Sequence, residues 1–296
     1  NQSRRQRQMC IRDRSSSAKI QALLIDDDIE YFGTNQGLWS RQNNRNVKLI
    51  KNINAFSLDK APDGSIIVGA KKGFYYLNKG ALKKISPDGK DYVPLSKTAV
   101  RDIEVISENE IWYATFGMGL FLHNPGTFTT LNAKDGLDVG GMTFDLVKNG
   151  NKVYIATKNG LFLYQNNKIK KHYTKNDGLP SNMILDLDMD SSGNLWIATA
   201  NGLSKLSGSV FKNYSRKDGL PSKLVTSVHV DDRDDSRIWM GSERSGLTKF
   251  DKKGFYTYAV QDGLPSNSIR DITQSNDGTL IIACYKAGVA KFDGKK

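Results

Sequence analysis

Apolar residues in this chain come in short runs with a period of two, and the runs recur. The clearest copy opens with the alternating run "SNMILDLDM", which reads as a strand. A turn, "DSSGN", follows, then "LWIAT" as a second strand, "ANG" as a hairpin turn, "LSKLSG" as a third and "SVFKNYSR" as a fourth. "KDGLP" leads into the next copy. Such runs of four to eight residues, rich in aromatic and β-branched side chains and bounded by Gly, Asn and Asp, are strand and turn signals. No segment carries a 3.6-residue period over ten or more positions, so helical repeats are excluded.

The hairpin turn between the second and third runs recurs along the chain. Its glycines are Gly37, Gly73, Gly119, Gly160, Gly202, Gly246 and Gly288, spaced 36, 46, 41, 42, 44 and 42 residues apart. A period in this range marks propellers and solenoids. Four strands per copy and seven copies predict an all-β fold, a seven-bladed β-propeller of four-stranded antiparallel blades, over residues 18–296. The residue near the end of each second strand is small: Gly33, Gly69, Ala114, Ala156, Ala198, Gly241 and Ala283. Blades crowd together near the axis, where larger side chains would collide. Tyr31, Trp112, Tyr154, Trp196 and Trp239 precede these positions and can fill the wider space between blades. The next slot holds Thr or Ser in five copies, Ala70 in one and Cys284 in another, so Cys284 reads as a small buried side chain.

The phrase "DGLPSN" stands at 177–182 and 262–267, with "DGLPSK" at 218–223. It falls where the outer strand of one blade crosses back to the inner strand of the next. There Asp can bond the turn backbone, Gly supplies positive φ and Pro sets the exit. Leu179, Leu220 and Leu264 are expected to plug the seams. The first two copies lack the phrase, although Pro87-Asp88-Gly89 is a partial echo. The repeat text ends after the third strand of the seventh copy, which predicts a last blade of three strands or an ill-fitting fourth.

Charge changes the picture little. The net charge is +12, of which residues 1–17 supply +4. That leader, "NQSRRQRQMCIRDRSSS", has no apolar period and no repeat copy; it resembles translated adapter sequence and is expected to be disordered or loosely attached. With Cys10 in the leader and Cys284 in a repeat slot, no disulfide framework or metal knuckle is present. No run approaches the ~18 apolar residues of a membrane span. The cations are scattered and no basic–aromatic module appears, which argues against a nucleic-acid partner.

Together "DGLPSN", "I.D", "G.LWIAT" and "GL" resemble the two-component regulator propeller repeat, over nearly everything outside the leader. The resemblance implies the extracytoplasmic, periplasmic sensor part of a bacterial signal-transduction protein. It also implies a small-molecule or oligosaccharide ligand, often a glycan, and downstream signalling domains. No kinase residues lie in this chain, so kinase activity is not carried over.

Two other readings stand beside it: a protein-docking scaffold, and a propeller enzyme of the streptogramin-lyase type, which uses a histidine and a magnesium ion. The repeat register puts His123, His172 and His229 on different blades and at different radii, with only His229 near the axis. A convergent catalytic or metal constellation is therefore not expected, and no cofactor is implied. Asp102, Asp145, Asp186 and Asp271 share one position of the inner strand, with Ser57 and Ser227 in two other copies. Such a ring suggests either a channel metal or carboxylates bonded across the seams, and the second fits the alternation of the strand. The acidic runs at Asp26–Asp28 and Asp231–Asp235 read as solvated turns. Loops before the inner strand and between the second and third strands share one face, the expected ligand face. It holds Lys71, Lys72, Lys158, Lys223, Arg244 and Lys286, with Arg101 and Arg270 at inner-strand starts and the aromatics Phe116 and Tyr285. Lys158, Lys223, Arg244, Arg270, Lys286, Phe116 and Tyr285 are the candidate ligand-binding residues; the alternative is a set of solvated turn lysines.

Overall fold

Each copy of the repeat folds into one antiparallel sheet, of order a-b-c-d in the first six copies and, among the described residues, a-b-c in the seventh. The structure, a computed structural model, describes residues 18–43, 45–78, 81–84, 97–124, 127–138 and 142–293. The leader at 1–17 and the Pro87-Asp88-Gly89 echo lie outside the described residues. The inner strands a are Ile20–Asp26, Ala55–Lys60, Val100–Ser107, Thr143–Asn149, Ile184–Met189, Val225–Val230 and Ile269–Gln274. Six blades have four strands. Among the described residues the seventh has three, ending with Gly288–Phe292, as the repeat text predicts.

The b–c turn explains the repeated glycine and threonine. Gly202 has φ 116° and Gly160 has φ 129°, values open to glycine but strained for other residues. A Cβ on Gly202 would lie 2.5 Å from the carbonyl oxygen of Tyr214. The Thr199 hydroxyl donates to the Gly202 carbonyl at 2.8 Å, and Thr34, Thr115 and Thr157 do the same in their blades. Cys284 occupies the same slot and is fully buried.

The small residues of strand b vary with their partners in strand a. Where strand a has Asp102, Asp145, Asp186 or Asp271, strand b opposes it with alanine. Where strand a has Ser57 or Ser227, strand b has Gly69 or Gly241. A Cβ at either glycine would come within 2.2 or 2.3 Å of the serine hydroxyl. Backbone approach at the axis is thus tuned pair by pair.

"DGL" is an architectural device. Thr174, Ser215 and Asn132 each cap a 3-10 turn whose third residue, Asp177, Asp218 or Asp135, accepts the cap residue's backbone N–H. The following glycine is left-handed, with φ 110°, 97° and 85°. Its leucine N–H returns to the cap carbonyl. The Asn of "DGLPSN" also works: the Asn182 and Asn267 side chains accept N–H groups of Lys175 and Val260, both at 2.8 Å. Lys223 takes that slot in the middle copy and is exposed.

Seven apolar clusters hold the blades together, one at each seam, including the seam between blades seven and one. Leu179, Leu220 and Leu264 are buried in three of them, the positions expected to plug the seams, and Leu137 is buried in a fourth. Trp112, Tyr154, Trp196 and Trp239 fill the same four seams.

Candidate functional site

Every inner strand carries a β-bulge at the same place. The pairing of strands a and b skips Gln21, Phe56, Arg101, Phe144, Leu185, Thr226 and Arg270 in blades one to seven. A bulge breaks the two-residue alternation and re-aims the extra side chain. All seven bulge residues line one cavity of about 720 Å³, to which every blade contributes from its inner strand. The sequence-based picture of strand-a side chains pointing only toward neighbouring blades is corrected here: one residue per blade faces the axis instead.

Around this ring the chemistry is uneven. Blades seven, one and three contribute Arg270, Gln21 and Arg101, whereas blades four and five contribute Phe144 and Leu185. The Arg101 guanidinium lies 4.5 Å from the ring centroid of Phe56, and that of Arg270 lies 4.6 Å from Tyr285. Lys19 and Lys286 also stand over Tyr285, at 5.4 and 5.3 Å. A hydrogen bond with Lys19 and the surrounding cations hold the Tyr285 phenol below its usual range. Withdrawal from water, together with the charge of Arg270, lowers the Arg101 pKa, although Asp102 opposes this. Among the described residues neither arginine has an ion-pair partner within 4 Å. Glu243 is the acid that joins them at the mouth.

Directly beneath lies the aspartate ring, which also lines the cavity. Its carboxylates staple the blades, each accepting a backbone N–H from the next inner strand. Asp102 accepts from Leu146, Asp145 from Leu187, Asp186 from Val228 and Asp271 from Leu23, at 3.1, 2.7, 2.7 and 2.9 Å. The last of these crosses from blade seven to blade one. Asp59 and Asp188 repeat the device two residues further along, toward Val105 and Val230. The seam-bonding reading of these carboxylates is the one the structure bears out. Withdrawal from water pushes Asp145 up to about 6, with bonds to Asp102 and Asp186 and the two backbone N–H donors opposing the rise. Asp102 and Asp186 are raised well above the carboxylate range by the same withdrawal and by the Asp145 charge. Among the described residues no group of three His, Cys, Asp or Glu side chains is arranged to hold a metal ion.

The histidines are not brought together. His123 stacks on Phe128 at 4.3 Å and His172 on Phe162 at 3.9 Å, both away from the axis. His229 lies on an inner strand, 3.5 Å from Asp188. Burial opposes its charge, but the Asp188 hydrogen bond and charge outweigh that and raise its pKa. The acidic turn at Asp231 is not solvated, because Asp231 is 1% exposed and accepts from Trp239 and Arg237.

Of the seven candidate ligand residues, Arg270 and Tyr285 line the cavity. Lys158, Lys223, Arg244 and Lys286 are exposed on loops of the same face, outside the cavity lining. Phe116, 51% exposed, bridges to Met142 on that face. Reasoning from sequence missed Gln21, Phe56, Phe144, Leu185 and Thr226. Their signal was the position immediately before the Asp/Ser ring, hidden by the bulge.

Comparison with known proteins agrees with the repeat. Residues 178–201, running from the "DGLP" loop to the b–c turn of the fifth blade, match the family model described as two component regulator propeller. The chain is similar to the extracellular domain of a hybrid two component system from B. thetaiotaomicron, with TM-score 0.82 and 20% identity. That match covers 95% of this chain and 39% of the other, so this chain spans about two fifths of that protein. A streptogramin B lyase is similar at TM-score 0.75 and 14% identity, covering 96% of this chain and 95% of the enzyme. The WD40 propeller of Doa1 is similar at TM-score 0.69 and 13% identity, covering 95% and 94% of the two chains. At these identities the likenesses show the propeller fold alone. Among curated proteins, the sequence comparison finds no match.

Proposed function

We propose that this chain is the ligand-binding sensor propeller of a bacterial extracytoplasmic signalling protein. In this reading the face bearing the d–a and b–c loops binds an anionic glycan or a related small ligand. The observation that carries the reading is the axial cavity, with Arg101 and Arg270 set over aromatic rings at its mouth and without an ion-pair partner among the described residues. Charge-assisted hydrogen bonds to carboxylate or sulfate are stronger than neutral ones, and aromatic faces suit the apolar side of a sugar ring. The family match on the fifth repeat and the likeness to an extracellular sensor domain support the same class. Lys158, Lys223, Arg244, Lys286 and Phe116 form the outer rim, which attracts the ligand at low ionic strength. Arg270 and Tyr285 touch it.

Calorimetric titration of the purified chain with carboxylated, sulfated and neutral oligosaccharides tests this. Acidic sugars should bind more tightly than neutral ones, and raising the salt should weaken them. If no sugar binds, the glycan-sensor reading fails.

A second reading, a lyase of the streptogramin type, draws on one feature, the His229–Asp188 pair on adjoining inner strands. It requires cleavage of a cyclic depsipeptide by the purified chain, with the activity lost on His229→Ala. Observing both would replace the sensor reading.

A further inference from the structure

The seven bulge residues form a ring of mixed polar and apolar groups over a floor of carboxyls. Its polar members are Thr226, Arg270 and Gln21 on blades six, seven and one, and Arg101 on blade three; neither arginine has an ion-pair partner among the described residues. Its apolar members are Phe56, Phe144 and Leu185 on blades two, four and five, and the Arg101 guanidinium lies over the Phe56 ring. Below the ring, the lining consists of Asp102, Asp145, Asp186 and Asp271 with Ser57, and extends along the inner strands only as far as Leu23 and Leu58. Two polar atoms of residues on this lining, Gln21 Oε1 and Ser57 Oγ, are buried and have no hydrogen-bond partner among the described residues, and Ser57 is only 5% exposed. A buried polar group without a partner is costly and points to something that would satisfy it.

These features restrict what can enter. Two arginines that reach the same cavity from blades three and seven can converge on one carboxylate or sulfate group. The carboxyls of the floor, with Gln21 and Ser57, offer hydrogen-bond partners to hydroxyl groups. Phe144, Leu185 and Phe56 offer a surface for the C–H face of a ring. Because the cavity sits on the axis, walled by all seven blades, an unbranched chain can enter by its end but cannot pass through sideways. We propose that the bulge ring is an end-on socket for one polyhydroxy carboxylate unit, its carboxylate held by Arg101 and Arg270 and its hydroxyls donated to Gln21 and Ser57. The unit is a free sugar acid or the terminal acidic unit of a chain. This inference rests on the ligand-binding reading of the same face and narrows it to one place and one chemical class.

Titrations with three probes test it: D-glucuronate, D-glucose and cyclohexanecarboxylate. Glucuronate should bind at least tenfold more tightly than glucose, which lacks the carboxylate, and than cyclohexanecarboxylate, which lacks the hydroxyls. Arg101→Gln with Arg270→Gln should weaken glucuronate at least tenfold. Leu185→Trp, which fills the ring without touching a charge, should do the same, so a folding defect in one variant does not decide the test. An oligosaccharide ending in glucuronate should bind, and one carrying it only in its interior should not. Failure of glucuronate to bind overturns the socket. Binding of interior-acid or sulfated chains, unchanged by the ring variants but lost in Arg244→Ala with Lys286→Ala, also overturns it and leaves the sensor reading on the rim. If no sugar, acidic or neutral, binds at all, both fall.

Discussion

Two seams of the ring are built from the same inner parts and differ in the outer ones. Between blades four and five, Leu187 donates to Asp145 at 2.7 Å; between blades seven and one, Leu23 donates to Asp271 at 2.9 Å. Behind that shared staple the packing diverges. The first seam buries Tyr173 at the end of strand d and Leu179 of the "DGLP" loop, along with Tyr154, Leu161, Ile184, Leu187 and others. The closing seam buries Ile20, Leu23, Phe32, Ile281, Ala283 and Val289, all from strands a, b and c. Among the described residues blade seven has no strand d. The inner half of a seam is thus a property of the a and b strands, and the outer half is what strand d and the phrase after it add.

Removing the phrase's plug breaks this contrast most directly. Leu179 is 3% exposed, so Leu179→Ala leaves a cavity and should cost about 2–5 kcal/mol. Chemical denaturation measures the loss. Hydrogen exchange should then show the Leu187 amide losing protection toward the level of Leu23. An unchanged midpoint would mean that the leucine is a passenger and the outer half of the seam adds nothing.

The staples come next in size. Asp145→Ala removes the acceptor of a buried N–H and should cost roughly 1–3 kcal/mol. Asp271→Ala removes the equivalent acceptor where no strand d backs it. We expect its effect to be concentrated, with amides of Ile20–Asp26 and Ile269–Gln274 losing protection before the rest. Uniform loss of protection in both variants would show the two seams to be equally cooperative.

This contrast also separates what could be read in the sequence from what could not. Blade count, strand order, the turn glycines and the seam leucines follow from a period of about 42 residues and from local turn chemistry. Asp102, Asp145, Asp186 and Asp271 were legible as seam acceptors because they share one repeat position. The site itself was read only in part: Arg101 and Arg270 were noticed as cations, but Phe144 and Leu185 look like ordinary strand hydrophobics. Only the bulge turns them to the axis, and a bulge has no side-chain signature when five residue types share its seven copies. The tool that worked for the fold, identity across copies, fails at the ring because the ring is where the copies differ.

Acidity should sharpen the comparison. Burial pushes Asp59 to about 6 and, with the Asp59 and Asp145 charges, Glu104 to about 8; Asp145 lies at about 6, and Asp102, Asp186 and Asp271 are also raised. A carboxyl raised in the folded state binds more protons there than in the unfolded chain. Its contribution is therefore fully present below the ordinary carboxylate range and lost as pH rises through the folded value. His229, also raised, acts in the same direction. Carboxylates held low by their turns, such as Asp277 at about 2, lose their contribution only under stronger acid. The Tm should therefore be higher at pH 5.5 than at pH 8.5. The gain should be greatest across blades three to six, where Asp102, Asp145 and Asp186 adjoin one another. At the closing seam the His229 charge partly offsets the rise at Asp271, so less is gained there. A Tm that climbs steadily with pH over this window would contradict the assignment.

The smallest expected effect is a gain. In three of the four phrase turns the cap residue offers a side-chain oxygen: Asn132, Thr174 and Ser215 each accept a backbone N–H two residues on. In the fourth turn, which leads into blade seven, the cap is Ala259. Asp262 still accepts the Ala259 N–H at 2.9 Å, and the left-handed Gly263 has φ 102°, so half of the reciprocal capping pair is already in place. The missing half is one hydroxyl aimed at the N–H of Gln261. Ala259→Ser supplies it without changing the backbone, and replacing an alanine cap by serine is worth about 0.5–1 kcal/mol. Its turn carries Leu264 into the seam between blades six and seven, next door to the closing seam. If the outer half of each seam is built by these turns, the gain should appear as slower exchange at Leu264 and through Ile269–Gln274, with blades two to four unaffected. Ser215→Ala, the same exchange run backwards in the regular arc, should lose a similar amount. If Ala259→Ser is neutral while Ser215→Ala destabilises, the fourth turn is held by its seam and not by its cap.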